Sequence, residues 1–374
     1  SLNLGFPWEL DAQMGPCVEE PKGKLLRGLT ELDPGQRWIL KPQHIEGNLW
    51  SPGVRAGVMP GSEYHLTEYF GPILGVMRAN TLEEAVAYQN AVEFGLTAGL
   101  HSLDPDEIRY WLDNVHAGNV YINRTITGAI VQRQPFGGWK RSSVGSGAKA
   151  GGPNYLYGLG HVEPDFGGEL PVKVHLASKP LREARAVAKT MSVVDQDRFV
   201  KIVRGLDTAL ANEFLVGHDP SNLQVEKNVF RYRPFPNVVI RLAADRPVGD
   251  LLALVSGAVA VGAKPVISTA LPVSKQMAEY FAEYELKVVR ETEDEFESYM
   301  GSHATNREGV RVRMIGGNSV ELAKAVRGSV DVAIYDEPVT PCGRVEILPF
   351  VQEQAVSATN HRFGNPTKLL DGVL

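Results

Sequence analysis

The sequence is expected to fold as an α/β protein made of two successive α/β layers. Three observations carry that expectation. Short runs rich in β-branched and aromatic residues alternate with stretches of helical apolar spacing, from about residue 70 to 123 and again from about 238 to 335. A length of 374 residues suits two domains with sizeable cores. Gly and Pro punctuate the runs without a fixed repeat period.

Taken in order, residues 1 to about 66 are turn-rich, with Trp38-Ile-Leu-Lys41 and Val54 to Met59 as short strands. Ile73 to Met77 is apolar throughout, as suits a buried strand. Thr81 to Asn90 reads as a helix opened by a capping box, Thr81 with Glu84, and turning Leu82, Ala85 and Val86 inward. A glycine-interrupted strand follows over Gly95 to Leu103. Asp106 to His116 is a helix with Pro105 at its first position and Gly118 as the residue just past its end. Asn119-Val-Tyr-Ile-Asn123 is a strand, and it delivers a long loop holding Gly128 and Pro135-Phe-Gly-Gly138.

Composition removes several classes of function. A net charge of −6 offers no electrostatic reason for nucleic acid or an anionic membrane. No apolar run approaches a bilayer span. Two distant cysteines, Cys17 and Cys342, make neither a disulfide framework nor a zinc set, which suits a reducing cytoplasm. Cys17 is followed by Glu19 and Glu20, which would disfavour a thiolate, so it is a poor nucleophile.

The chemistry-bearing candidates lie at two bends. Glu68 precedes a Phe-Gly-Pro turn, where a carboxylate can accept from two sugar hydroxyls, and Phe70 can wall a flat ring. The bland alternative is a solvated Glu and a core Phe. In the second bend, glycines at Gly128 and Gly137-Gly138 let backbone amides approach an anion such as a carboxylate. Its bland alternative is a surface turn. Arg124 and Arg133 read as solvated loop cations.

Four stretches together are more specific. Glu68-Tyr-Phe-Gly-Pro72, Asn90 with Phe94-Gly-Leu-Thr-Ala98, Gly118-Asn-Val-Tyr-Ile-Asn123, and Pro135-Phe-Gly-Gly138 with Lys140 resemble, in order and spacing, the catalytic-domain half of an aldehyde dehydrogenase. Thr127-Gly-Ala129 before Gln134-Pro-Phe-Gly-Gly138 is similar to the L-glutamate γ-semialdehyde (Δ1-pyrroline-5-carboxylate) dehydrogenases. Leu25 to Thr30, His65 to Phe70 and Ala148 to Asn154 narrow the resemblance to bifunctional flavoenzymes of proline catabolism, which join such a dehydrogenase to a proline dehydrogenase.

The resemblance implies an aldehyde dehydrogenase catalytic-domain segment over 1–160, a linker or oligomerisation hairpin over 161–180, and a non-catalytic, aldehyde-dehydrogenase-like C-terminal domain over 181–374, which the strand–helix alternation makes Rossmann-like and doubly wound α/β. It implies NAD as cofactor, with Glu68 on the nicotinamide ribose and Phe70 beside the nicotinamide. FAD would belong only to a proline dehydrogenase module absent here. Gly128 and Ala129 would anchor the substrate α-carboxylate through backbone amides, and Phe136 would line the aldehyde pocket. The two bends would then wall one cleft. The family's nucleophilic Cys would lie upstream, since neither cysteine here matches it. The chain is thus expected to be a piece of something longer, inactive alone, partnered by upstream proline dehydrogenase and NAD-binding segments and by copies of itself. A structural or assembly module is the competing reading, and an independent nucleotide-binding protein is disfavoured for want of GxGxxG.

The second half is less talkative. Val144 to Gly152 fails the phosphate-loop patterns and reads as a flexible loop. Tyr155 to Phe166, with Gly167-Gly168, reads as linker or exposed hairpin, and two helices are expected between Leu181 and Phe214. Strands at Val238–Leu242, Pro265–Thr269, Lys287–Val289, Val310–Ile315 and Val330–Tyr335 alternate with helices at Val248–Val261, Ser274–Tyr284, Asp294–Gly301 and Ser319–Val326, as in a parallel doubly wound sheet. Gly316-Gly317-Asn318 is either a helix-terminal phosphate site or a tight turn capped by Asn318 or Ser319. Gly343 to Gly364 echoes Gly71 to Gly95 in apolar and Asn/Phe-Gly spacing, as a degenerate internal copy would. His361 is expected to be structural.

Overall fold

The computed structural model describes residues 2–167, 176–303 and 309–374. Gly168 and part of the expected 161–180 linker lie outside the described residues. The chain divides into two compact units, Ser1–Glu93 and Phe94–Leu374.

The first unit holds a three-stranded sheet in which β1 (Arg37–Leu40) runs antiparallel to β2 (Gly53–Ala56), and β2 parallel to β3 (Ile73–Val76). The apolar run of β3 does not make it a buried strand. Its residues alternate, with Leu74 and Val76 exposed, because β3 is the edge of this sheet and every second side chain points off it. A helix over Leu82–Asn90 begins where its sequence dictates. The Thr81 side chain accepts from the Glu84 amide, while Glu84 reaches past Thr81 to the Asn80 amide. Val86 is its buried residue, and Ala85 faces solvent, not the core.

The second unit contains two sheets. One joins segments far apart in the sequence: β4 (Thr97–Leu100) and β5 (Asn119–Ile122) pair in parallel, and β5 pairs in parallel with β12 (Val351–Thr359). β12 in turn forms a nine-residue antiparallel ladder with β6 (Glu226–Pro234). The helix between β4 and β5, Pro105–Asn114, is capped by Asp104, whose carboxylate accepts from the Asp106 and Glu107 amides. Gly118 does not cap its far end, which closes at Val115 in extended conformation. Gly118 is needed for a different reason: a Cβ there would stand 2.2 Å from the Gly137 carbonyl oxygen and 2.8 Å from the Lys149 ammonium.

The other sheet is parallel throughout, in the order β9-β8-β7-β10-β11, with β7 Val238–Leu242, β8 Val266–Thr269, β9 Val288–Arg290, β10 Val310–Ile315 and β11 Val332–Tyr335. This is the doubly wound layer the alternation predicts. Its first crossover helix, Val248–Ala260, is buried from Gly249 to Ala258. Four of its side chains, Leu251, Leu252, Leu254 and Val255, are fully covered, each worth about 1.5–3 kcal/mol. Asp250 is tolerated inside because Arg198 grips both its oxygens at 2.7 Å. On β10, Arg311 and Arg313 are buried: Arg313 pairs with Glu346, and Arg311 donates to backbone carbonyls at Leu348 and Ser146.

The suspected internal copy does not exist as structure. Gly71 to Leu74 leads into a strand, whereas Gly343–Ile347 is helical. Ala85-Val86 is helical, whereas Ala355-Val356 lies within β12. A shared apolar spacing over a few residues suits either period, and tertiary pairing decided each case.

Candidate functional site

The site is built on the carboxyl end of β5. All four residues of this strand are buried, flanked on both sides by parallel partners. Its first side chain, Asn119, reaches across to the far end of the following loop. The amide nitrogen donates to the Pro135 carbonyl at 3.1 Å, and the amide oxygen accepts from the Gly137 amide and the Lys149 ammonium, each at 3.1 Å. Asn123 ends the strand with φ +55 and exchanges two hydrogen bonds with the Ser102 backbone. One residue type fixes both margins of the loop.

Between those margins the loop lines a cavity of about 800 Å³ whose wall includes Gly128, Ala129 and Phe136. The structure therefore brings the three expected substrate residues to one cavity. Thr97, Tyr121, Ile126 and Gln134 complete much of the wall. Gly128 has φ +77 with open space where a Cβ would stand, so its glycine serves conformation, not close packing. Among the described residues nothing accepts from the Gly128 or Ala129 amides. Exposed amides at a positive-φ bend are the arrangement that binds a carboxylate.

The loop is not held by its own backbone alone. Gln134 is buried; its oxygen accepts from the Ile130 amide at 2.6 Å, and its nitrogen donates to Asn228, Ser357 and Glu226. Arg124 donates to Glu226 and Ser357, both at 2.7 Å, and Arg133 to the other Glu226 oxygen at 3.3 Å. Neither arginine is the solvated loop cation expected from sequence. Glu226, Asn228 and Ser357 were not singled out by sequence reasoning. The signal that could have found them is period-2 spacing: Glu226 and Asn228 share one face of β6, and Ser357 sits opposite Asn228 on β12.

The Gly137 end is held by Lys149, fully buried, which also donates to the Gly137 carbonyl. Burial depresses its ammonium to about 7, against the opposing pull of Glu353. Glu353 is buried too; desolvation raises its carboxyl, while the Asn154 side chain and the Lys149 amide donate to it at 2.8 and 2.7 Å. The segment Val144 to Gly152, expected as a flexible loop, is thus pinned through Lys149.

Glu68 and Phe70 belong to the first unit. Both are exposed, so Phe70 is not a core residue. It stands 82% accessible with φ +58, presenting its ring outward. Glu68 uses its backbone carbonyl to accept from Lys24, and among the described residues its carboxylate has no partner. Burial raises the Cys17 thiol, which weakens it further as a nucleophile. At Gly316-Gly317 the capping alternative holds: Asn318 accepts from the Val320 and Glu321 amides. Among the described residues there is no metal-ligating cluster, and no helix is long and apolar enough to cross a membrane.

Comparison with known proteins gives the first 159 residues a family likeness. The model of the "Aldehyde dehydrogenase family" matches residues 1–159. A 1-pyrroline-5-carboxylate dehydrogenase of Bacillus licheniformis is 32% identical over 159 residues, 42% of this chain and 30% of that protein. Its namesake from Bacillus thuringiensis is 35% identical over 169 residues, 41% of this chain and 30% of the relative. The solved structure of Proline Utilization A (PutA) from Corynebacterium freiburgense superposes with a TM-score of 0.76 at 38% identity, covering 97% of this chain and 33% of that one. The chain thus spans about a third of the length of the proteins it matches.

Proposed function

We propose, from the match of residues 1–159 to the aldehyde dehydrogenase family model, that the chain forms part of an NAD-dependent enzyme oxidising L-glutamate γ-semialdehyde to glutamate. The observation that carries the proposal is the cavity lined by Gly128, Ala129 and Phe136, with two unpaired amides at its positive-φ bend. In this reading those amides take the substrate α-carboxylate, and Phe136 covers the apolar stem between carboxylate and aldehyde. Charge-assisted hydrogen bonds to a carboxylate contribute about 1.5–3 kcal/mol.

The nicotinamide cofactor supplies the hydride acceptor when bound. The residues present fit such a group: Glu68 offers an unpartnered carboxylate for a ribose diol, and Phe70 an outward ring for a planar neighbour. The thiolate that must attack the aldehyde is not among this chain's residues in our reading. Cys17 is deactivated by burial, and Cys342, exposed just before a short helix over Gly343–Ile347, does not match the family's nucleophile motif. We assign 1–160 to the dehydrogenase segment, 161–180 to a linker and 181–374 to a non-catalytic domain. The partners are upstream nucleophile-bearing, NAD-binding and proline dehydrogenase segments of one longer protein, with FAD confined to the last. Homo-oligomerisation and a cytoplasmic setting complete the reading.

The test is NADH formation from the semialdehyde by this chain alone and by a protein that also carries the upstream segments. The longer protein turns over and the chain alone does not. Robust turnover by the chain alone refutes the assignment of the nucleophile, and none by the longer protein refutes the reaction.

A further inference from the structure

The structure places three residues of the C-terminal half beneath the substrate loop, and from that juxtaposition we propose that Glu226 is a positioning residue for the acidic substrate. It staples the two ends of the loop that carries Gly128 and Ala129. The proposal rests on the reading of that loop as the carboxylate anchor.

The geometry is specific. One Glu226 oxygen accepts from Arg124 at 2.7 Å, before the bend, and from Gln134 at 3.2 Å, after it. The other accepts from Arg133 at 3.3 Å. Ser357 receives hydrogen bonds from the same two loop side chains, Arg124 at 2.7 Å and Gln134 at 3.1 Å, and donates to Asn228 at 3.0 Å. Glu226 and Ser357 stand on adjacent strands, β6 and β12, whose nine-residue ladder fixes their spacing. The loop between Arg124 and Arg133 is exposed, so its ends, not its packing, determine where the bend sits.

Two consequences follow from the charges. Glu226 occupies both arginines of the loop, so neither is free to seize the substrate carboxylate in a competing pose. It also fixes the two free amides in advance, which lowers the ordering cost of binding. Removing Glu226 therefore weakens recognition of an acidic aldehyde more than of a neutral one. Residues 181–374 then contribute to substrate choice without touching the reacting atoms.

The experiment uses the full-length protein carrying this chain, with saturating NAD. KM and kcat are measured for the semialdehyde and for propanal, which has no carboxylate. Glu226→Ala raises KM for the semialdehyde at least ten-fold and Ser357→Ala at least three-fold, while KM for propanal moves less than two-fold in each. Lys227→Ala, on the opposite face of β6, serves as the control. Equal shifts for both aldehydes, or none, overturn the proposal. Should Glu226→Ala fail to fold, Glu226→Gln and Ser357→Ala decide by the same ratio. Amide hydrogen exchange at Ile130, Arg133 and Gln134, the loop amides that have acceptors, separates this idea from the proposed reaction. It accelerates at least ten-fold in the variants even if the wild type makes no NADH from the semialdehyde, and unchanged exchange sinks the staple by itself.

Discussion

The loop after β5 and the turn after β10 start alike and end differently. Each leaves a buried strand, and each bends on glycine with positive φ, Gly128 in one and Gly316-Gly317 in the other. After β10 the helix-terminal amides of Val320 and Glu321 are taken by the side chain of Asn318, and the Glu293 carboxylate lies close to Gly317. That bend has filled its own anion site and set a negative charge beside it. After β5, the side chains that serve the loop bind elsewhere: Gln134 takes the Ile130 amide, and Arg124 and Arg133 go to Glu226. The amides at Gly128 and Ala129 are left over. Glycine content does not separate a ligand loop from a turn; the inventory of acceptors already committed does.

The comparison is broken most forcefully at Gly128. Valine there must adopt φ +77, which a β-branched side chain resists, so the bend shifts and the amides lose their aim. In the full-length protein, KM for the semialdehyde rises about 10- to 100-fold, the equivalent of about 1.5–3 kcal/mol of carboxylate hydrogen bonding. Propanal kinetics are the internal control, and an unchanged semialdehyde KM would remove the loop from substrate binding.

A second perturbation acts on the opposite margin of the same loop. Lys149 is held at about 7 in the fold, against 10.5 for a free lysine. Between those values the unfolded chain binds more protons, so stability contributed by Lys149 grows as pH rises above about 7 and is flat below it. The urea-unfolding stability of the wild type minus that of Lys149→Met should therefore increase from pH 7 to 9, by at most about 1.4 kcal/mol per pH unit. A difference that is flat or falls over that range means the lysine is not neutralised inside the fold.

The gentlest change sharpens the contrast from the other side. Asn318→Ala removes the cap of the turn after β10 and costs about 0.5–2 kcal/mol of stability, read as a lower urea midpoint. Kinetic constants for both aldehydes stay within two-fold. A selective rise in KM for NAD or substrate would give this turn a binding role the capped geometry denies it.

How much of this could be read from residues alone depends on range. The parallel layer was legible because each strand–helix pair is a local event with its own apolar period: β7 and β10 occur with the boundaries the sequence suggests. Gly128, Ala129 and Phe136 were legible as a resemblance, and they share a cavity. What escaped was long-range. The strands Glu226–Pro234 and Val351–Thr359 gain their partners from each other and from β5, and no local pattern announces a strand that completes a distant sheet. With them escaped Glu226, half-buried, and Ser357 and Glu353, buried, polar residues whose placement makes sense only once the loop is laid over them. Gly118 misled for the same reason: its sequence neighbours suggest a helix end, but its constraint is the Gly137 carbonyl across the fold.

The pairing of β5 with β12 also bears on how the molecule is made. A ribosome adding about 5–20 residues each second delivers the strand leading into the loop on the order of tens of seconds before the strand that must lie beside it. Throughout that interval one edge of β5, apolar and unpaired, is open to any extended segment nearby. The nascent chain is consequently most vulnerable to misassociation while the parallel layer is being synthesised, and trigger-factor-type chaperones that shield Val120 to Ile122 should raise its yield more than stabilising that layer does.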